Sequence, residues 1–331
     1  MTTNPYKNFI PYLVSSDAKT DDLDLDLHRS KEPSGGQWRS IGLINALPGE
    51  GLLVDMDGGK MMCVQFNERI LPGKVRDEHL GKRVAKLEQM EGRKLSKKEY
   101  AQLREQVEFD LLPRAFVRRT NVPVIFAETS GKGIRQYDPR GSDSPILMMI
   151  CTASQKRADD VVALLTAVFG DTLKAWKIEM GRPIPGSLTT LACDGFLFNE
   201  HTQEECSFYP TAAAVLKGSG KKTIRIKDKD IQEHDVQTLL KQSYAVTELA
   251  LRYGEDEDSP MLTFTVNDNF VFKRVALPDV QVTPLKEDAF GFALLCAQTY
   301  VRMIREIIAA FGGMAKRPQA STSNVDEDDE L

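Results

Sequence analysis

Apolar positions recur along the chain with two periods. Val75, Leu80, Val84, Leu87 and Met90 fall at helical spacing, and Leu103, Val107 and Leu111 mark one face of a second helix. Gly92 loosens the chain between them, Ser96 and Glu99 form an S-x-x-E capping box for the second helix, and Pro113 ends it. The pattern predicts a helical hairpin over 75–113.

β-branched and apolar runs flanked by Gly, Pro, Asp and Ser predict strands at 61–66, 122–127 and 146–151. The polar, glycine-rich stretch 129–144 reads as a long connection. A helix follows from Ser154, with Val161, Val162, Leu165, Val168 and Phe169 on its apolar side and Gly170 as its C-cap. Residues 223–227 alternate: Ile224 and Ile226 face one way, Arg225 and Lys227 the other, which predicts a half-buried strand with a basic face. Asp230 and Glu233 supply another capping-box pattern, from which a helix is expected to run through Leu251. Asn267, Asp268 and Asn269 form a turn between strands 261–266 and 270–277. After Pro284 a last helix places Leu294, Tyr300, Val301, Ile304, Ile308 and Phe311 at core spacing, closed by Gly312 and Gly313.

Strands and helices interleave without a βα repeat or internal period, so the expected class is α+β with mainly antiparallel sheets. The expected organisation is a first α+β domain built from 1–74 and 114–180, the hairpin 75–113, a second α+β region 181–285, a C-terminal helix 286–313 packed on the body, and a disordered acidic tail 314–331.

Composition supports a folded body: of 331 residues, 41% are hydrophobic and 27% charged. No apolar run reaches membrane-spanning length and the first residues lack a signal-peptide pattern, so no membrane association is expected and the location is read as cytoplasmic. The five cysteines are widely spaced without a C-x-x-C pair, and the four histidines lie outside metal-ligand spacing.

Charge changes the picture more than composition does. Residues 69–119 carry fourteen Lys and Arg against eight Asp and Glu, whereas Asp326, Glu327, Asp328, Asp329 and Glu330 place five negative charges in a row, and Asp17, Asp21, Asp22, Asp24 and Asp26 against Lys19 add a second acidic segment of net −4. A net charge of −5 thus conceals a mildly basic body. Lys82, Arg83, Lys86, Arg93, Lys94, Lys97, Lys98 and Arg104 all lie on or beside the hairpin, either as an ordinary solvated helix surface or as a polyanion contact.

Gly218 to Thr223 invites comparison with a phosphate-binding loop, but Val215 stands where the first glycine is required and Lys222 where the hydroxyl is required. Asp228, Asp230, Glu233 and Asp235 cluster as nuclease carboxylates could, although acidic residues at a helix start equally suit its dipole. No G-x-S-x-G, H-E-x-x-H or C-x-x-C motif is present. No cofactor is implied.

The ordered segments Glu68-Arg69-Ile70-Leu71-Pro72, Ala85-Lys86-Leu87-Glu88, Gly92-Arg93-Lys94-Leu95 and Leu111-Leu112-Pro113-Arg114-Ala115-Phe116 resemble the bacterial RdgC family, and Ile224-Arg225-Ile226-Lys227 with Lys273-Arg274 follow in matching order. The resemblance implies a non-enzymatic, nucleoid-associated protein, a ring-shaped homodimer with a protruding helical hairpin. Its basic channel would admit double-stranded DNA without sequence preference and it would restrain a RecA-type recombinase. Arg93, Lys94, Arg114, Arg225 and Lys227 match basic positions of the family pattern and are candidate phosphate contacts. Arg118, Arg119 and Lys229 are added on local charge. Phe116 matches a family aromatic of the subunit interface, the alternative being a buried core Phe. Asp228 stands where a basic residue is expected. Two other readings stay open: a protein-interaction module acting directly on a recombinase or another DNA-metabolism protein, and a metal-dependent nuclease.

Overall fold

The computed structural model describes residues 4–16, 23–128, 146–199, 202–218, 220, 222–229, 231–242, 244–255, 258–278 and 288–315. The expected connection 129–144 and the tail beyond Ala315 lie outside them. The chain divides into two compact units, one drawn from Met1–Ala127, Leu147–Ala175 and Gln281–Ala297, the other from Glu128–Ile146, Trp176–Val280 and Gln298–Leu331. The class is α+β with antiparallel pairing, as the sequence pattern implies.

The first unit is built on a seven-stranded sheet of β1 (Ile10–Ser16), β2 (Arg39–Ile44), β3 (Leu53–Met56), β4 (Gly59–Ile70), β5 (Phe116–Glu128), β6 (Ile146–Ile150) and β7 (Leu173–Lys177), in the order β2-β4-β5-β6-β1-β7 with β3 also paired to β4. β4 and β5 run antiparallel over their length, from Gly59 opposite Ala127 to Ile70 opposite Phe116. Gly59 is required at that start, because a Cβ there would lie 2.1 Å from the Phe126 carbonyl oxygen.

Helices α1 (Gly73–Glu91) and α2 (Lys97–Leu111) join these two strands. They bury Leu80, Leu103 and Val107 against Val84, Leu87, Leu95 and Leu111, each fully covered side chain contributing about 1.5–3 kcal/mol. Gly92 adopts φ 65° to end α1, and both halves of the Ser96/Glu99 capping box are formed. Arg69 fastens this pair to the sheet: its guanidinium donates to the carbonyls of Leu112 at 2.6 Å and Pro33 at 2.7 Å. Helix α3 (Gln155–Phe169) begins at Ser154, whose hydroxyl accepts from the Arg157 N–H, and buries Val161, Leu165, Val168 and Phe169 before Gly170.

The second unit carries a five-stranded antiparallel sheet of β8 (Phe208–Lys217), β9 (Thr223–Lys227), β10 (Ala245–Tyr253), β11 (Leu262–Asn267) and β12 (Phe272–Ala276), ordered β12-β11-β10-β8-β9. Helix α4 (Ile184–Asp194) anchors on β10, where the Val246 N–H donates to the Thr189 hydroxyl at 2.9 Å. Helix α5 (His234–Lys241) is tied to α4 through Gln237, whose amide donates to the Ala192 carbonyl at 2.9 Å. One sheet face holds the apolar rings, with Phe208 stacked on Tyr253 at 5.1 Å and Phe264 at 5.6 Å from Phe272. The last helix, α6 (Ala289–Ala310), ends at Gly312 and Gly313, both at positive φ.

One expected element is corrected. The helix expected to continue through Leu251 stops at Lys241, and residues 245–253 are strand β10. Leu249, Leu251 and Tyr253 are buried while Ala250 and Arg252 between them are partly exposed, a period of two that β8 and β11 on either side reward with ladder hydrogen bonds. The expected capping box is not formed either: α5 is capped at Glu233 without a side-chain bond, and Asp230 lies outside the described residues.

Candidate nucleic-acid interface

The exposed face of the second sheet gathers several positive side chains. β9 is an edge strand, so its alternation sends Ile226 into the core and leaves Arg225 and Lys227 outside. Across the ladder Arg225 stands opposite Val215 and Lys227 opposite Ala213. These small neighbours leave a cavity of about 440 Å³, whose other cations are Lys217, Lys273 and Arg274. It contains two carboxylates, and each is already held: Lys217 meets Asp268 at 3.3 Å and Lys273 meets Glu248 at 2.6 Å. Arg225 and Lys227 have no carboxylate partner among the described residues. An anion reaching this face therefore meets two solvated cations on one strand, about 6.6 Å apart along it, without having to displace a resident carboxylate.

The remaining candidates separate into engaged and unengaged groups. Lys94, between α1 and α2, and Arg114, just before β5, have no carboxylate partner among the described residues. Arg93, beside Lys94, is gripped by Glu91 at 2.7 Å and Glu99 at 2.6 Å. The paired Arg93 guanidinium holds the Glu99 carboxyl well below the usual carboxylate range, helped by bonds from Ser96. In β5, Arg118 pairs with Glu68 at 2.6 Å and Arg119 with Glu32 at 2.5 Å. Lys229 lies 3.4 Å from Glu233 and 3.6 Å from Asp235, and the hydrogen bond it donates to Glu233 raises its pKa above the ordinary lysine value. Exposed pairs of this kind are weak, so a phosphate can replace the carboxylate, but only by exchange.

Arg93, Lys94, Arg114, Arg118 and Arg119 belong to the first unit, and Arg225, Lys227 and Lys229 to the second. Lys217 and Lys273 were not among the sequence candidates. Their place on the basic face depends on β8 and β12 joining one sheet, a long-range pairing that local alternation does not reveal.

Phe116 is 84% exposed, so it is no core residue. It faces Ile70, 41% exposed, across the β4–β5 ladder, which puts an uncovered apolar pair at the end of the long strands. Of the carboxylates considered for metal binding, Glu233 and Asp235 flank the Lys229 ammonium, and among the described residues no group of three or more His, Cys, Asp or Glu could hold a metal. All five cysteines are free thiols. Among the described residues no helix is long and apolar enough to cross a membrane.

A model of the family described as "Putative exonuclease, RdgC" matches residues 6–314. Curated relatives carry the name "Recombination-associated protein RdgC". One from Shewanella sp. strain ANA-3 is 27% identical over 85% of this chain and 88% of its own length. Another from Psychromonas ingrahamii is 27% identical over 88% and 92%, and one from Aeromonas hydrophila is 29% identical over 77% and 78%.

Proposed function

Since the chain belongs to the RdgC family of recombination-associated proteins, we propose that it binds double-stranded DNA without sequence preference, as a ring-shaped homodimer in the nucleoid, and thereby restrains a RecA-type recombinase. The observation that carries this reading is the pair Arg225 and Lys227, exposed on one strand face whose two carboxylates are both occupied by other lysines. Each cation brought to a phosphate releases condensed counterion, with a log–log salt slope of about −0.9 per contact, and reads no base. Lys94 on the basic helical hairpin and Arg114 add contacts of the same kind. Arg93, Arg118, Arg119 and Lys229 contribute by exchanging their carboxylates for phosphate.

The dimer is supported by the exposed Ile70–Phe116 pair, because burying an aromatic against a second copy removes apolar area that a lone subunit leaves in water. A ring closed around duplex slows escape without any base contact.

The family description favours a second reading, an exonuclease. Binding is preferred to hydrolysis because Glu233 and Asp235, two of the carboxylates a nuclease would use, are bridged by Lys229. Mobility-shift titration of unrelated duplexes of equal length across a salt series tests the proposal. Affinity should be similar for all of them and fall steeply with salt. Salt-insensitive affinity, or strong preference for one sequence, would overturn it, and loss of end-labelled duplex in Mg²⁺ would establish the nuclease.

A further inference from the structure

We propose that the acidic segment 326–330 docks on the Arg225–Lys227 face of its own chain and competes there with nucleic acid. The competition rests on the function proposed above; the docking does not.

Three observations lead to it. The face offers two cations without a carboxylate partner among the described residues, over a floor of small side chains at Ala213 and Val215. The chain leaves the described body within the same unit, at Ala315, whose N–H is fixed to the Glu179 carbonyl at 2.8 Å. Asp326 follows Ala315 by eleven residues, a span of up to about 36–40 Å. A compact unit of roughly 150 residues has a radius of gyration of about 15 Å, so the extended tether carries the segment past the unit's equator and over more than half of its surface. Finally, the charges match in spacing as well as sign. In an extended chain alternate residues point the same way about 6.6–7 Å apart, which sets Asp326, Asp328 and Glu330 at the interval that separates Arg225 from Lys227 on β9.

Exposed ion pairs are individually weak, but tethering makes the encounter intramolecular, at an effective concentration of about a millimolar. Modest intrinsic affinity then suffices to cover the face at low salt. Screening over about 10 Å at 0.1 M salt releases it. Nucleic acid, with a longer array of charges, displaces the segment when it binds. If the segment covers the face 80–90% of the time, apparent duplex affinity falls about five- to tenfold, in proportion to the uncovered fraction.

The docking is read first without DNA. In the ¹⁵N-labelled full chain at about 50 mM salt, the amide signals of 326–330 should be shifted or broadened away from those of a free peptide of residues 318–331. They should return to the peptide positions in Arg225→Glu/Lys227→Glu. Signals already at the peptide positions in the unsubstituted chain would overturn the proposal, as would displaced signals indifferent to the double substitution. Duplex titration then reads the competition: a chain ending at Arg317 should bind about five- to tenfold more tightly at low salt, with the gap closing as salt rises. Equal affinities at low salt would overturn the competition. Failure of both chains to bind duplex would instead count against the proposed function, leaving the docking result to stand.

Discussion

Arg93 grips Glu99 with two guanidinium N–H donors, at 2.6 and 3.0 Å, while the same carboxylate accepts the Ser96 backbone N–H at 2.8 Å. A residue that looks in sequence like a free phosphate contact is therefore part of the cap that starts α2. Its neighbour Lys94 has no such tie.

Neighbouring cations should accordingly behave differently. Lys94→Ala and Arg114→Ala are each expected to reduce the log–log salt slope of duplex affinity by about 0.9 per lost contact. Arg93→Ala should change it less, and instead lower the midpoint of urea unfolding by loosening the α1–α2 connection. A larger slope change for Arg93 than for Lys94 would reverse this assignment.

Removing Arg69, the half-buried anchor of α1 and α2, should be costly. Arg69→Met leaves the carbonyls of Leu112 and Pro33 without their donors, for which about 2–4 kcal/mol is expected from the lost charged hydrogen bonds. Urea denaturation followed by far-UV circular dichroism measures it, and a change below about 0.5 kcal/mol, the level of an ordinary surface substitution, would show that the anchor is dispensable.

Acid should weaken the first unit through Glu68. The Arg118 hydrogen bond, with Arg157 and Arg39 nearby, holds this carboxyl below its ordinary value. A lowered carboxyl adds stability that is complete above the unfolded-chain value of about 4.3 and lost as pH falls through the folded value. The urea midpoint should decline on acidification below about pH 4, and less so in Glu68→Gln; identical pH profiles would remove Glu68 from the explanation.

How much of this was visible beforehand depends on the range of the interaction. The α1–α2 pair, its Ser96/Glu99 cap and Gly92 turn, the α3 helix from Ser154 to Gly170, the alternation of β9 and the closing glycines of α6 are local patterns, and the sequence carries them whole. The capping pattern of Asp230 and Glu233 signals a helix start but not its length, and the strand form of β10 is decided by pairing with β8 and β11. The carboxylates that engage Arg118 and Arg119 are 50 and 87 residues away, so the division into engaged and unengaged cations appears only after folding. Exposure of Phe116 was likewise hidden, since an aromatic in a strand pattern reads equally well as core.

Phe116→Glu should halve the solution mass of a dimer while leaving the circular dichroism spectrum intact, because the ring is 84% exposed within its own chain. Sedimentation equilibrium at micromolar concentration gives the answer. An unchanged dimer mass would place the interface elsewhere, and a strictly monomeric unsubstituted chain would remove the ring.

Charge reversal separates ring action from direct contact with a recombinase. Arg114→Glu/Lys227→Glu should abolish duplex binding and recombinase inhibition together; inhibition that persists without duplex binding would favour a protein-interaction module.

The most direct measurement is the salt dependence of duplex affinity for the unsubstituted chain and for Arg225→Ala/Lys227→Ala. The expected result is a shallower log–log slope in the double variant, by about 0.9 for every phosphate contact removed, with affinities that converge at high salt. Parallel lines of equal slope would mean that neither side chain meets a phosphate.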